Sequence, residues 1–95
     1  MLVDEYNNLS IIEKHSYIFQ QPENNSRFIS YRKSDELTVS LWDCDTFFVE
    51  IYYSRKLNQL LKIEGISLFD DRINLYIDYF LKADKEEDFN IIEIA

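Results

Sequence analysis

From Glu36 to Ile66 the chain alternates apolar and polar residues with a period of two. The alternation runs through Leu37-Thr-Val-Ser-Leu-Trp42, Thr46-Phe-Phe-Val-Glu-Ile-Tyr-Tyr53 and Leu60-Leu-Lys-Ile-Glu-Gly-Ile66. Successive side chains of a strand point to opposite faces, so this pattern calls for consecutive strands and excludes a helix there. The face opposite the aliphatic rows is not polar. It carries Trp42, Phe48 and Tyr52, joined by Phe28 from an earlier strand and Leu60 from a later one. A sheet that is apolar on both sides is either covered twice by its own chain or meets another molecule.

The flanking segments read as helices. Ser10-Ile-Ile-Glu13 is a capping box, and Ile11, Ile12, His15, Ile18 and Phe19 follow at helical spacing. This predicts a helix over about 10–21, closed by Pro22 and the polar run after it. Residues 1–9 extend that helix or form a loose arm. Phe28 to Lys33 reads as the first strand, with Ile29 and Tyr31 on one side and Phe28, Ser30 and Arg32 on the other.

Parity then constrains the hairpins. A three-residue loop, Asp43-Cys44-Asp45, sets Leu41 against Phe47, Val39 against Val49 and Leu37 against Ile51. All the aliphatic rows then share one face. A loop over Arg55-Lys56-Leu57 sets Ile51 against Leu61, Val49 against Ile63, Gly65 against Phe47 and Glu50 directly opposite Lys62. Ser67 opens a second helix with Asp70 and Asp71 in its first turn and an apolar stripe of Ile73, Tyr76, Ile77, Phe80 and Leu81. Residues 82–88 form a solvated connector. Phe89 to Ile94 has strand propensity and reads as a fifth strand or a docking segment. The expectation is one α+β domain over 1–95: helix, four-stranded antiparallel meander, helix, an optional C-terminal strand, and an acidic docking tail at 83–95.

Composition narrows the classes of function. A hydrophobic fraction of 46% with seven Phe, seven Tyr and one Trp is ample for a core, so disorder is not expected. The net charge of −8 repels phosphate backbones and anionic lipid, which argues against nucleic acid and membrane as partners. A single cysteine, Cys44, excludes an internal disulfide, and no apolar run approaches the roughly 20 residues of a membrane span. The expected compartment is the cytoplasm.

Leu9-Ser10 with Glu13-Lys14, the strand Phe47-Phe48-Val49-Glu50-Ile51 followed by Tyr53, Asn58 with Leu60 and Ile63, and the step Tyr76-Ile77-Asp78 form a recognisable series. In these features, across residues 9–81, the chain resembles a group of short uncharacterised bacterial proteins. The resemblance implies a fold and a bacterial source, and carries no activity with it. The tail after residue 83 departs from that shorter pattern.

Residues with chemical potential are few. His15 is the lone histidine and reads as a helix-flank residue with one nitrogen hydrogen-bonded. Cys44 between two aspartates has its thiolate disfavoured, and reads as a loop-tip thiol. Asp43 with Asp45 and Asp70 with Asp71 lack the ligand ladder of a calcium loop, and the second pair reads as a helix cap. Glu50 reads as half of an ion pair with Lys62. Arg27, Arg32, Lys33, Arg55 and Lys56 interleave with aromatic residues, as in a single-strand-binding sheet, but the overall charge opposes that use. No catalytic, cofactor-binding or metal-ligating residue is assigned.

The functional expectation is a non-enzymatic protein-interaction module whose anchors are Phe28, Trp42, Phe48, Tyr52 and Leu60. Three coverings compete for this face: a homodimer partner, the first helix or residues 88–94 of the same chain, and a different protein. Two further readings stand beside it. One is an acidic inhibitor or immunity-type protein that masks a basic partner with Asp43, Asp45, Asp70 and Asp71. The other is a small-ligand site or enzyme, with a cavity lined by Tyr31, Tyr53 and Tyr76 and a polar group such as His15.

Overall fold

The structure is a computed structural model and describes residues 1–20 and 26–77. Its elements are α1 (Val3–Asn7), α2 (Ile11–Phe19), β1 (Arg27–Ser34), β2 (Leu37–Asp43), β3 (Phe48–Ser54), β4 (Gln59–Ile66) and a 3₁₀ helix (Asp71–Tyr76). The four strands form one antiparallel sheet in the order β1-β2-β3-β4, so the architecture is α+β with a meander, as the alternation requires. The proposed fifth strand and docking tail lie outside the described residues, as do Phe80 and Leu81 of the second-helix stripe.

The capping box closes as its residues dictate. Ser10 Oγ accepts from the Glu13 amide at 3.2 Å, and the Glu13 carboxylate accepts from the Ser10 amide at 3.0 Å. The N-terminal residues are not a loose arm. Tyr6 is buried on α1 and donates its hydroxyl proton to the Lys14 carbonyl at 2.9 Å, while the Thr46 hydroxyl donates to the Met1 carbonyl. The Asn7 side chain meets β4 at its outer edge, accepting from the Gly65 amide at 2.7 Å and donating to the Gly65 carbonyl at 2.9 Å. A Cβ at Gly65 would stand 3.1 Å from the Tyr6 ring and 3.1 Å from Val3, so the close approach of α1 requires glycine there.

The register of the first hairpin corrects the expectation. Asp43 pairs with Phe48, which leaves a four-residue loop, Cys44 to Phe47, in place of three residues. The loop is built by local bonds. Asp43 Oδ1 accepts from the Asp45 amide at 2.8 Å, Asp45 takes φ 73°, and the Cys44 amide donates to the Phe47 carbonyl. Phe47 thereby leaves the strand and drops fully into the core with Cys44 beside it. An even loop inverts the relative phase of β2 and β3, so Val39 and Leu41 lie on the face opposite Val49 and Ile51.

The second hairpin differs as well. Ser54 pairs with Gln59, and a register shift beside Tyr52 and Tyr53 leaves Leu61 bulged. Ile51 therefore faces Ile63, Val49 faces Gly65, and Glu50 faces Glu64 rather than Lys62. The ring that lies near Gly65 is Tyr6, not Phe47. A further shift in β1 between Phe28 and Ser30 brings Tyr31 opposite Ser40, on the same face as Phe28 and Trp42.

Two cores result, one on each side of the sheet. The first packs Tyr6, Ile18, Cys44, Phe47, Val49, Ile51 and Ile63, with α1 and α2 lying against β4. The second packs Val39, Leu41 and Ile66 beneath Tyr76 and Ile73 of the 3₁₀ helix, which lies against β1. The two helical segments therefore sit on opposite faces, so the chain itself contributes a cover to each side of the sheet. The second also starts later than expected. Asp70, not Ser67, is its N-cap, accepting from the Arg72 amide at 2.9 Å, and Ser67 instead shapes the preceding turn.

Candidate functional site

The five anchors do not share a face. Phe28, Trp42 and Leu60 belong to the side that α1 and α2 occupy, whereas Phe48 and Tyr52 belong to the opposite side and pack against the second core. The four-residue loop is the cause, because it moves β3 by one register step relative to β2. The sheet is apolar on both sides, but its own chain covers much of each.

On the helical side, a row of rings remains partly open. His15 meets Phe19 at a tilt with centroids 4.6 Å apart, Phe19 meets Trp42 edge-on at 5.0 Å, and Trp42 meets Phe28 edge-on at 5.4 Å. These are favourable quadrupolar geometries, so the row is held rather than loose. Trp42 is half-buried, and its Nε1 donates to Ser40 Oγ at 2.9 Å. Phe19 and Phe28 keep 48% and 49% of their surface in solvent. The row begins on α2, whose outer side also carries Ile11 and Ile12, and crosses β2 to β1. Beside it, a groove of about 190 Å³ between α2 and β4 is lined by Ile11, Ile12, His15, Ser16, Gln20 and Leu60. The sequence names Phe28, Trp42 and Leu60 as anchors, whereas Ile11, Ile12 and Phe19 serve there only to mark a helix. Periodicity alone does not single them out, since Ile11, Ile12, Ile18 and Phe19 fall within an arc about as wide as an ordinary core-facing stripe.

On the opposite face, Glu50 forms the centre of a buried charged cluster. It is 0% exposed, and its Oε2 accepts from the Tyr76 hydroxyl at 2.6 Å while its Oε1 accepts from the Tyr52 hydroxyl at 2.8 Å. Arg32 and Arg72 approach its two oxygens at 3.4 Å each. Arg72 is further held by Glu64 at 2.7 Å and by both oxygens of Asp70, and Lys62 pairs with Glu64 at 3.0 Å. The Glu50–Lys62 ion pair expected from sequence is thus replaced. Lys62 lies over the Tyr52 ring, and the cations of Glu50 come from β1 and from the 3₁₀ helix.

Burial, then the bond to Glu50, pushes the hydroxyls of Tyr76 and Tyr52 above the ordinary tyrosine range. Hydrogen bonds from Arg72 hold Asp70 down at about 2. For Glu64, burial opposes ionisation, but Lys62 and Arg72 outweigh it and lower the pKa. Arg32 Nε is buried without a hydrogen-bond partner, and its guanidinium instead lies over the Tyr76 ring at 5.5 Å. The cluster fastens the 3₁₀ helix to the sheet through Tyr76 and Arg72. Charges this mutually engaged are ill suited to proton transfer with a substrate, which would need an accessible group.

The other candidates are dispersed. Cys44 is buried, not at an open loop tip, and burial with Asp43 nearby pushes its thiol up to about 12. Such a thiol holds almost no thiolate at neutral pH. Asp43 is engaged by Arg27 at 3.2 Å and Asp70 by Arg72, which leaves Asp45 and Asp71 as the exposed members of the acidic set. Tyr31 and Tyr53 are exposed on the helical side and Tyr76 is buried on the other, so the three do not line a common cavity with His15. Arg55 donates to the carbonyls of Asp35 and Leu37, holding the β1–β2 turn, and Lys56 pairs with Glu36 at 3.5 Å. Among the described residues, no group of three or more His, Cys, Asp or Glu is placed to hold a metal ion, and no helix is long and apolar enough to cross a membrane. No protein-family model, no curated protein and no solved structure matches the chain.

Proposed function

We propose that this chain is a small non-enzymatic protein-interaction module of bacterial type, acting in the cytoplasm and self-associating through the ring row of its helical side. One observation carries the reading. His15, Phe19, Trp42 and Phe28 form a continuous, geometrically fixed row whose phenylalanines stand half in solvent. A rigid aromatic surface offers contact area at little conformational cost, which is what a binding face needs. The anchors are then Phe19, Phe28 and Trp42, with Leu60 at the groove. Phe48 and Tyr52 support the sheet from behind.

Sedimentation of the wild type against Phe28→Glu tests this. Phe28 is the better site for a charge than Trp42, whose ring packs against the core and whose replacement would also test folding. The wild type should associate reversibly with rising concentration, with little dependence on salt, and Phe28→Glu should remain monomeric. A wild type that stays monomeric to near-millimolar concentration would defeat the reading. Association with a basic protein that weakens steeply with salt would favour the acidic-inhibitor reading instead.

A further inference from the structure

The geometry points to a specific mode of association, resting on the reading above: two copies pair through the outer side of α2, each inserting Ile12 into the partner copy's groove. Three observations carry this. First, α2 is apolar on two sides. Ile18 and Tyr17 face the first core, while Ile12 is 76% exposed and lies on one stripe with Ser16 and Phe19. Second, the projection and the recess adjoin each other, since Ile12 rims the groove lined by Ile11, His15, Ser16, Gln20 and Leu60. A knob and a hole about one helical turn apart on one element suit a two-fold contact, where each copy supplies both. An axis through Ser16 brings Ile12 of one copy over Phe19 and Gln20 of the other, and a small residue at the crossing lets the helices approach closely. The Ser16 hydroxyl already donates to Gln20 Oε1 at 3.1 Å, so it enters such a contact with a hydrogen bond made.

The third observation selects a second copy over a foreign partner. The chain has eighteen acidic residues and a net charge of −8, yet the face made by Ile12, Ser16, Phe19, Gln20, Trp42 and Phe28 carries no carboxylate of its own, and Glu13 at its border is engaged by the Ser10 amide. This surface is where two such chains can meet without setting acid against acid, whereas a partner recruited by charge would seek the acidic surfaces. Ile11, Ile12, Phe19 and Phe28 each leave on the order of 100 Å² open, and the groove rim raises the area to roughly 600 Å² per copy. That is the low end for a specific interface, so the dimer should be weak and reversible.

Sedimentation of Ile12→Arg and mild oxidation of Ser16→Cys test the mode, with circular dichroism confirming the fold of each variant. Ile12→Arg should raise the dissociation constant at least thirtyfold, because the new side chain is exposed in the monomer and would be buried unpaired in the dimer. Ser16→Cys should give a covalent dimer, since Cys44 is buried and the two introduced thiols would flank the axis. If Ile12→Arg associates as well as the wild type, or Ser16→Cys stays uncrosslinked while dimeric, the helix pairing is wrong. Loss of association in Phe28→Glu alone would then leave the ring-row reading standing without it. A wild type that never associates would overturn both.

Discussion

Replacing Glu50 by alanine should destabilise the domain by about 3 kcal/mol, far more than a typical change of a glutamate on a strand. The carboxylate is wholly buried, accepts from two tyrosine hydroxyls at 2.6 and 2.8 Å, and is approached by two guanidinium groups. Deleting one partner of a buried ion pair costs about 3–5 kcal/mol, because the remaining charge stays desolvated. The lower end applies here. Arg72 keeps Asp70 and Glu64, and Arg32 is partly open to water and can recover some hydration. Against the total of roughly 5–15 kcal/mol for a domain, this is a large fraction and corresponds to a fall in Tm of about 15 °C. Glu50→Gln keeps the shape and one acceptor oxygen and should cost about half as much. Urea denaturation followed by Trp42 fluorescence measures these values, with an unchanged slope showing that the native fold is kept. A double-mutant cycle with Tyr76→Phe should return a coupling above about 1 kcal/mol. A loss below about 1 kcal/mol for Glu50→Ala, or no coupling to Tyr76, would refute the claim that this cluster fastens the 3₁₀ helix.

Three further outcomes follow from the geometry. Burial raises the pKa of the Tyr6 hydroxyl, and burial with the bond to Glu50 raises that of Tyr76, so both favour the neutral form in the folded state. Their contribution is complete below the ordinary tyrosine pKa of about 10 and lost as pH rises further, so an absorbance titration at alkaline pH should show these hydroxyls ionising together with unfolding. If every tyrosine titrates smoothly with the fold intact, the buried placements are wrong. Cys44 should react with a thiol reagent orders of magnitude more slowly in native protein than in denaturant, and equal rates would contradict its burial. Gly65→Ala should cost about 1–3 kcal/mol, because the added methyl meets Tyr6, Val3 and Asn7 at 3.1–3.2 Å; an unchanged unfolding midpoint would mean that α1 does not lie against β4 as described.

The strands were legible because period two survives any error of pairing. Each of the four strands lies within a residue or two of the span that the alternation marks out. The Ser10–Glu13 box was legible because it is a local bond between residues of fixed spacing. Register was not legible, for a physical reason. When both faces of a sheet are buried, alternation no longer says which row belongs with which, so a three-residue and a four-residue loop satisfy it equally well. The choice rested on Phe47, which continues the strand pattern in sequence but serves the core from the loop. The partners of Glu50 were hidden because Arg32 and Arg72 lie 18 and 22 residues away. Long-range ion pairs leave no periodic trace. The candidate surface was half-read: Phe28, Trp42 and Leu60 were identified, but Phe19 and Ile12 emerge as partners only once α2 is seen to lie against β4.

The bond pair between Asn7 and Gly65 has a consequence for how the sheet ends. An amide side chain there imitates a neighbouring strand, occupying the outward N–H and C=O of Gly65, while the Lys14 ammonium takes the Ile63 carbonyl nearby. The border strand is thus plugged by two side chains, which discourages templated growth by a stranger's backbone. Replacing both plugs, Asn7→Ala together with Lys14→Ala, should open it, and the variant should recruit further copies edge to edge into cross-β assemblies that bind amyloid dyes.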